Sequence, residues 1–363
     1  MKIGVLTFHC AHNYGAVLQC YALQEFLKQQ GHNVEIIDYR PHYLLAPYEI
    51  PFRRLKESWF QRLKIVVADL LMLFIRIKRF QKFSEYIENH LHLSSTTIKR
   101  KEGIPSGYDA YVIGSDQVWS SYITNLDSAY FGDFTKSSNA KVISYAASAG
   151  DRDVLSLWES DFLRNYLQKF QAISVREDKL RALLFPLTAI PIRVVADPVF
   201  ILSSKIWHQM AVKPQVNKKY ILVYQIHKNK AVLELANNLA KQIGAIVVQV
   251  LAWPNFHVKK NQYQYEDPSQ FLGWIKYAEC VVATSFHGIA FSTIFNKPFY
   301  TIGDRKNKIS RIGSLLHHLG LEERIVNVSS FPAFSSIDYE SLYYKRDSWV
   351  TDSQNFLNTS LGY

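Results

Sequence analysis

The feature that most constrains this chain is the alternation with which it opens. An apolar run at Lys2–Phe8 precedes a helical pattern over Ala16–Gln30 that Gly31 can terminate, and a second apolar run follows at Asn33–Tyr39. Strand, helix and strand in that order make a βαβ unit, which joins parallel strands buried on both faces. Short apolar runs continue at Ala110–Gly114, Val142–Ala146, Ala172–Val175 and Val194–Ala196. After Ser203 the text turns polar, and Lys205–Lys219 reads as a connection between domains.

A second series then begins. Strands are expected at Tyr220–Gln225, Ala245–Ala252, Val281–Thr284 and Phe299–Ile302, with helices at Ala231–Gln242, Phe271–Ala278 and Ile289–Phe295. A chain of 363 residues, 48% hydrophobic and 20% charged, is globular and exceeds one ordinary core. The predicted fold is α/β, two Rossmann-like domains facing a cleft in a glycosyltransferase-B-like arrangement. Residues 1–204 form the first domain, 205–330 the second, and 331–363 a C-terminal helical segment that could pack back on the first. A basic helical insertion is expected at about 53–90. Within it, Arg53–Glu85 carries nine basic and three acidic residues, and Ile65–Ile75 is apolar except for Asp69. That run is too short to span a bilayer. It reads as a packed hairpin or long helix, or as an amphipathic surface resting on anionic lipid.

Composition narrows the chemistry. Cys10, Cys20 and Cys280 are scattered and form no CxxC pair, so no disulfide framework or metal site is expected. A net charge of +11 without a base-reading motif points to anionic small substrates or an anionic membrane rather than nucleic acid. Met1-Lys2 leads directly into the first strand, so the expected location is the cytoplasm or, if 53–85 is the lipid-facing alternative, the inner face of the membrane.

Ligands of open α/β sheets bind beyond the carboxyl ends of strands, so the loops there hold the candidate site. In the first such loop, His9, His12, Asn13 and Tyr14 suit sugar hydroxyls, although Asn13 could equally cap the following helix. The G-x-G-x-x-G pattern of a dinucleotide site is missing. Gly114-Ser115-Asp116-Gln117-Val118-Trp119 follows a buried strand, where Asp116 and Gln117 could clasp hydroxyls and Trp119 stack on a sugar. Arg176 stands where a strand passes to a helix, poised for an anion or for a salt bridge to Glu177 or Asp178. Thr284-Ser285-Phe286-His287-Gly288 starts another helix, whose N–H groups make an anion pocket beneath His287. No acidic residue occurs from Cys280 to Gly303, while Lys297, Arg305, Lys306, Lys308 and Arg311 cluster nearby. That setting suits a compact, multiply charged anion.

These motifs occur in an order that resembles the polysaccharide pyruvyl transferase family. The resemblance rests on Thr7-Phe8-His9, Asn13 through Gln19, Tyr21 through Gln24, Ile37-Asp38-Tyr39-Arg40-Pro41 and Gly114 through Trp119. It continues through Ile143 through Ser148, Ser174-Val175-Arg176-Glu177, Ala196-Asp197-Pro198-Val199, Ser285-Phe286-His287-Gly288 and Ser310-Arg311-Ile312. What the resemblance implies is transfer of the pyruvyl group of phosphoenolpyruvate, a co-substrate rather than a cofactor, to a sugar. A cyclic ketal forms and phosphate is released, with the sugar acceptor expected to be a lipid-linked oligosaccharide.

The expected catalytic residues are His287, Arg176 and Asp116, with no metal. Arg176, Ser285, Phe286, His287, Gly288 and Arg311 are expected to bind the donor. His9, Asn13, Tyr14, Gly15, Asp116, Gln117 and Trp119 are expected to bind the acceptor. The competing readings are a nucleotide-sugar glycosyltransferase of the same fold and a non-catalytic, membrane-associated component of a polysaccharide assembly complex.

Overall fold

A computed structural model describes residues 1–46, 59–134, 139–151, 155–303, 310–327 and 331–362, with the side chains of 59–71 excepted. Residues 53–58 of the basic segment, and Arg305, Lys306 and Lys308, lie outside the described residues.

The described residues form two six-stranded sheets. The first contains β1 (Lys2–Leu6), β2 (Asn33–Ile36), β3 (Ala110–Ile113), β4 (Lys141–Ala147), β5 (Ala172–Val175) and β6 (Ile192–Val194), in the order β2-β1-β3-β4-β5-β6. The second contains β7 (Tyr220–Tyr224), β8 (Ile246–Val250), β9 (Gln262–Tyr263), β10 (Cys280–Ala283), β11 (Phe299–Ile302) and β12 (Ile325–Val326), in the order β12-β11-β10-β7-β8-β9. Adjacent strands in both sheets run parallel. Helices cover the faces, and the central strands are buried throughout: β3 reads Ala-Tyr-Val-Ile and β10 Cys-Val-Val-Ala. This is the paired Rossmann arrangement of glycosyltransferase-B-like folds.

The strand orders place the chemistry. In the first sheet the order reverses between β1 and β3, and in the second between β7 and β10. A crevice opens beyond the strands at each reversal. The loops after β1 and β3 flank the first crevice, and the turn after β10 lies at the second.

Two elements beside the site differ from the sequence expectation. The last strand of the first sheet is Ile192–Val194 rather than Val194–Ala196, because Asp197 caps a short helix, Pro198–Ile201, by accepting from the Val199 N–H. The helix after β10 spans Phe286–Ile294, starting three residues before the expected Ile289, so His287 stands in its first turn. The basic insertion contains one continuous helix, Trp59–His90, which is the long-helix alternative of the sequence reading.

The C-terminal helix Tyr343–Leu361 lies along the first sheet. There the Ser353 hydroxyl accepts from the Ala196 N–H at 2.8 Å, and Lys141 Nζ donates to the Leu361 carbonyl at 2.9 Å.

Candidate active site

Asp197, at the turn after β6, is the junction of the site. Its side chain is fully buried. Oδ1 caps the short helix, while Oδ2 accepts from Ser115 Oγ at 3.1 Å and from Arg176 Nη1 at 2.7 Å. His287 arrives from the second unit with Nε2 3.7 Å from the same oxygen, an ion-pair distance rather than a hydrogen bond. Burial alone would raise the Asp197 pKa, but His287 and Arg176 outweigh it and hold the carboxyl well below the usual carboxylate range. Arg176 and His287 therefore converge on one carboxylate from opposite units.

Arg176 is held on three sides. Besides Asp197, its Nε lies 3.3 Å from Glu177 Oε1 and its Nη2 3.7 Å from Asp116 Oδ1. Its guanidinium lies 4.2 Å from the centre of the Phe286 ring. The alternative of a salt bridge to Glu177 is present, and Nη2 keeps no hydrogen bond. Arg176 Nη2 and His287 Nε2 are buried donors or acceptors without a hydrogen-bond partner in the structure. Buried polar groups are rarely left in that state, and here two of them flank one carboxylate.

The rest of the donor set is distributed around this point. Ser285 precedes the helix without capping it, leaving its first N–H groups unpaired by a side chain. Phe286 supports Arg176 rather than facing a ligand. Gly288 is fully buried, and a Cβ there would lie 3.0 Å from Ala283 Cβ and 3.1 Å from the Tyr224 ring. Its smallness lets the helix pack on β7 and β10, which corrects the expectation that it admits a ligand. Arg311 lies beyond β10 and β11 in a cleft of about 250 Å³ lined also by Thr284, Thr301 and Ser310. Its N–H donates to Asp151 Oδ1 at 2.9 Å, and its Nε is 3.6 Å from Oδ2, so it is tied to the first unit.

The acceptor set divides. His9 is completely buried and paired with Asp38 at 2.7 Å, and Asp38 also accepts from Arg40 at 2.6 Å and Thr97 at 2.6 Å. Tyr14 is completely buried, stacked on Phe271 at 4.4 Å, and donates its hydroxyl to the Glu266 carbonyl at 3.1 Å. Trp119 is 2% exposed, stacked on Phe131, and donates Nε1–H to the Tyr130 carbonyl at 2.8 Å. These three are packing residues in this structure and do not present themselves to a sugar. Their polar ends are satisfied within the fold, as buried groups require. Asn13 caps the helix Tyr14–Gln29 by accepting from Gly15 and Ala16. Gln117 is half-buried beside Gly150, and Asp116, with φ 68°, lies within reach of Arg176.

Gly15 has a different task from the expected one. A Cβ on it would fall 2.0 Å from His287 Nδ1. Only glycine allows the first helix of one unit to rest against the histidine of the other.

Sequence reasoning passed over Asp197, which appeared only inside a motif. The one local signal was Asp followed by Pro, a helix start; nothing local shows that its second oxygen meets Arg176. Cys10 is buried, and burial pushes its thiol up to about 12, which leaves it unreactive. Among the described residues no group of His, Cys, Asp and Glu is arranged to hold a metal ion.

The family model for polysaccharide pyruvyl transferases matches residues 13–305. That match over most of the chain makes it a transferase of polysaccharide biosynthesis. The chain belongs to the polysaccharide pyruvyl transferase family. No curated protein matches the chain in sequence. Among solved structures it is similar to the UDP-GlcNAc 2-epimerase from Neisseria meningitidis, at 13% identity, 99% coverage of each chain and TM-score 0.49. A putative UDP-N-acetylglucosamine 2-epimerase from Listeria monocytogenes is similar at 11% identity, covering 99% of this chain and 91% of that one, with TM-score 0.45.

Proposed function

We propose that the chain transfers the pyruvyl group of phosphoenolpyruvate to a sugar of a lipid-linked surface polysaccharide precursor, forming a cyclic ketal and releasing phosphate. The observation that carries this is the pair of buried nitrogens without a hydrogen bond, Arg176 Nη2 and His287 Nε2, on either side of Asp197. A donor with both a carboxylate and a phosphate would meet Arg176 and the open N–H groups after Ser285.

In the step we infer, a proton passes from His287 to the methylene carbon of the enol. The neighbouring carbon becomes oxocarbenium-like, and a sugar hydroxyl adds to it. Breaking of its bond to the phosphate oxygen expels phosphate, and an adjacent hydroxyl of the same sugar closes the ketal. The two hydroxyls release two protons. One replaces the proton delivered to the methylene, and the other leaves with phosphate. Asp116 is the candidate to accept the hydroxyl proton, since it lies on the first-unit side of Arg176.

Thermal-shift titration tests the donor. Stabilisation by phosphoenolpyruvate and not by UDP is expected; stabilisation by UDP alone would favour a nucleotide-sugar donor and sink the proposal. The decisive assay is phosphate release from phosphoenolpyruvate with galactose- and mannose-type lipid-linked acceptors.

A further inference from the structure

The exposed large apolar side chains fall unevenly over the surface. Phe74, Ile77 and Phe80 are 69%, 42% and 52% exposed on the helix Trp59–His90, and Trp253, Phe256 and Val258 are 43%, 46% and 40% exposed in the loop after β8. The helix is pinned to the second unit. Arg79, itself 4% exposed, donates Nη1–H to the carbonyls of Leu251 at 3.2 Å and Gln264 at 3.0 Å, and Nη2–H to Ala252 at 2.9 Å. Beside it, Lys78 Nζ lies 4.6 Å from the centre of the Tyr265 ring. Arg79 and Lys78 therefore join the two apolar groups across the units.

Within the two stretches that carry them the charge has one sign, although Glu266 lies in the field of Arg79 and Lys82. No acidic residue occurs from Leu70 to Ser84 or from Leu251 to Tyr265, whereas Arg76, Lys78, Lys82, Lys259 and Lys260 lie in those stretches. Apolar side chains standing out of a basic field match a bilayer interface with anionic headgroups. Among the described residues no helix is long and apolar enough to cross a membrane, so contact of this kind is peripheral.

We infer that Phe74, Ile77 and Phe80 together with Trp253, Phe256 and Val258 form one docking surface for an anionic bilayer, spanning both units. The surface borders the loop after β1, because the Phe80 ring meets His12 edge-on at 4.9 Å and Phe83 stacks on it at 5.4 Å. Docking there brings headgroups to the acceptor side, a consequence that rests on the lipid-linked acceptor proposed above.

Cosedimentation of the full chain with two kinds of vesicle tests the surface. One contains equal parts phosphatidylglycerol and phosphatidylcholine, the other phosphatidylcholine alone. Binding to the anionic vesicles is expected, with about a tenfold loss in Lys259→Glu/Lys260→Glu and a comparable loss in Trp253→Ser/Phe256→Ser. All four positions lie in an exposed loop, so circular dichroism should show unchanged folding. Equal binding to both vesicles, no binding, or dimerisation through these residues would overturn the inference. Phosphate release with a water-soluble sugar acceptor should be unchanged in Trp253→Ser/Phe256→Ser. Release without vesicle binding defeats the docking surface alone, and vesicle binding without release defeats only the proposed reaction.

Discussion

A single carboxylate organises the charges of this site. Asp197 stays ionised because Arg176 and His287 share it, and Arg176 in turn neutralises Glu177 and Asp116. Removing the guanidinium outright would leave buried carboxylates unpaired, at about 3–5 kcal/mol. Arg176→Lys is therefore the informative variant: a point charge replaces a fork, and affinity for phosphoenolpyruvate by calorimetry should fall at least about tenfold. Unchanged affinity would remove Arg176 from the donor site. His287→Ala should cut phosphate release by about a hundredfold or more while circular dichroism stays native. His12 makes a separate prediction. Burial, reinforced by Arg79 and Arg40, lowers its pKa from 6.5 to about 4. The unfolded chain therefore binds a proton that the folded chain refuses between those values, and stability present above pH 6.5 is lost as pH falls toward 4. The loss is about 3 kcal/mol at most. Melting temperature followed from about pH 7 to about pH 4.5 should fall less steeply in His12→Phe than in the natural chain; identical slopes would exclude His12.

At the scale of elements, the helix Trp59–His90 does two jobs through neighbouring positions. Its buried face supplies Arg79, Phe83, Tyr86 and Ile87, while Phe74 and Ile77 stand in solvent. The charge excess was visible in the sequence, and so was the apolar run. Their division between faces was not, because Arg79 is buried only where Leu251, Ala252 and Gln264 offer carbonyls from another part of the chain. Arg79→Met keeps the stem and removes the donors, leaving buried carbonyls unpaired at about 1–3 kcal/mol each. A lower melting temperature and faster proteolysis within 251–262 are expected; a stability equal to the natural chain would show that water replaces the guanidinium without cost.

At the scale of the whole molecule, the site exists only when the two units are closed. Arg176 is 3% exposed and His287 6% exposed, so the proposed donor would need the units to part before it could reach them. Gly15 is the point of closest approach. A methyl group there would press directly on the His287 ring and push the two units apart. Gly15→Ala should retain its secondary structure by circular dichroism, show a larger radius of gyration by X-ray scattering, and lose about a hundredfold in turnover. Natural turnover in that variant would mean that closure is not required.

The sequence by itself determined the two parallel sheets, since short apolar runs spaced by helical patterns can be buried in few other ways. It also placed Arg176 and His287 at carboxyl ends of strands, and the fold brings those two turns together at Asp197. Which polar residues in those turns remain available was decided by tertiary structure alone. His9, Tyr14 and Trp119 have the chemistry to bind a sugar, but Asp38, the Glu266 carbonyl and the Tyr130 carbonyl claim them first. Asp197 and Gly15 gain their importance from His287, which belongs to the other unit, and no local pattern records so distant a pairing.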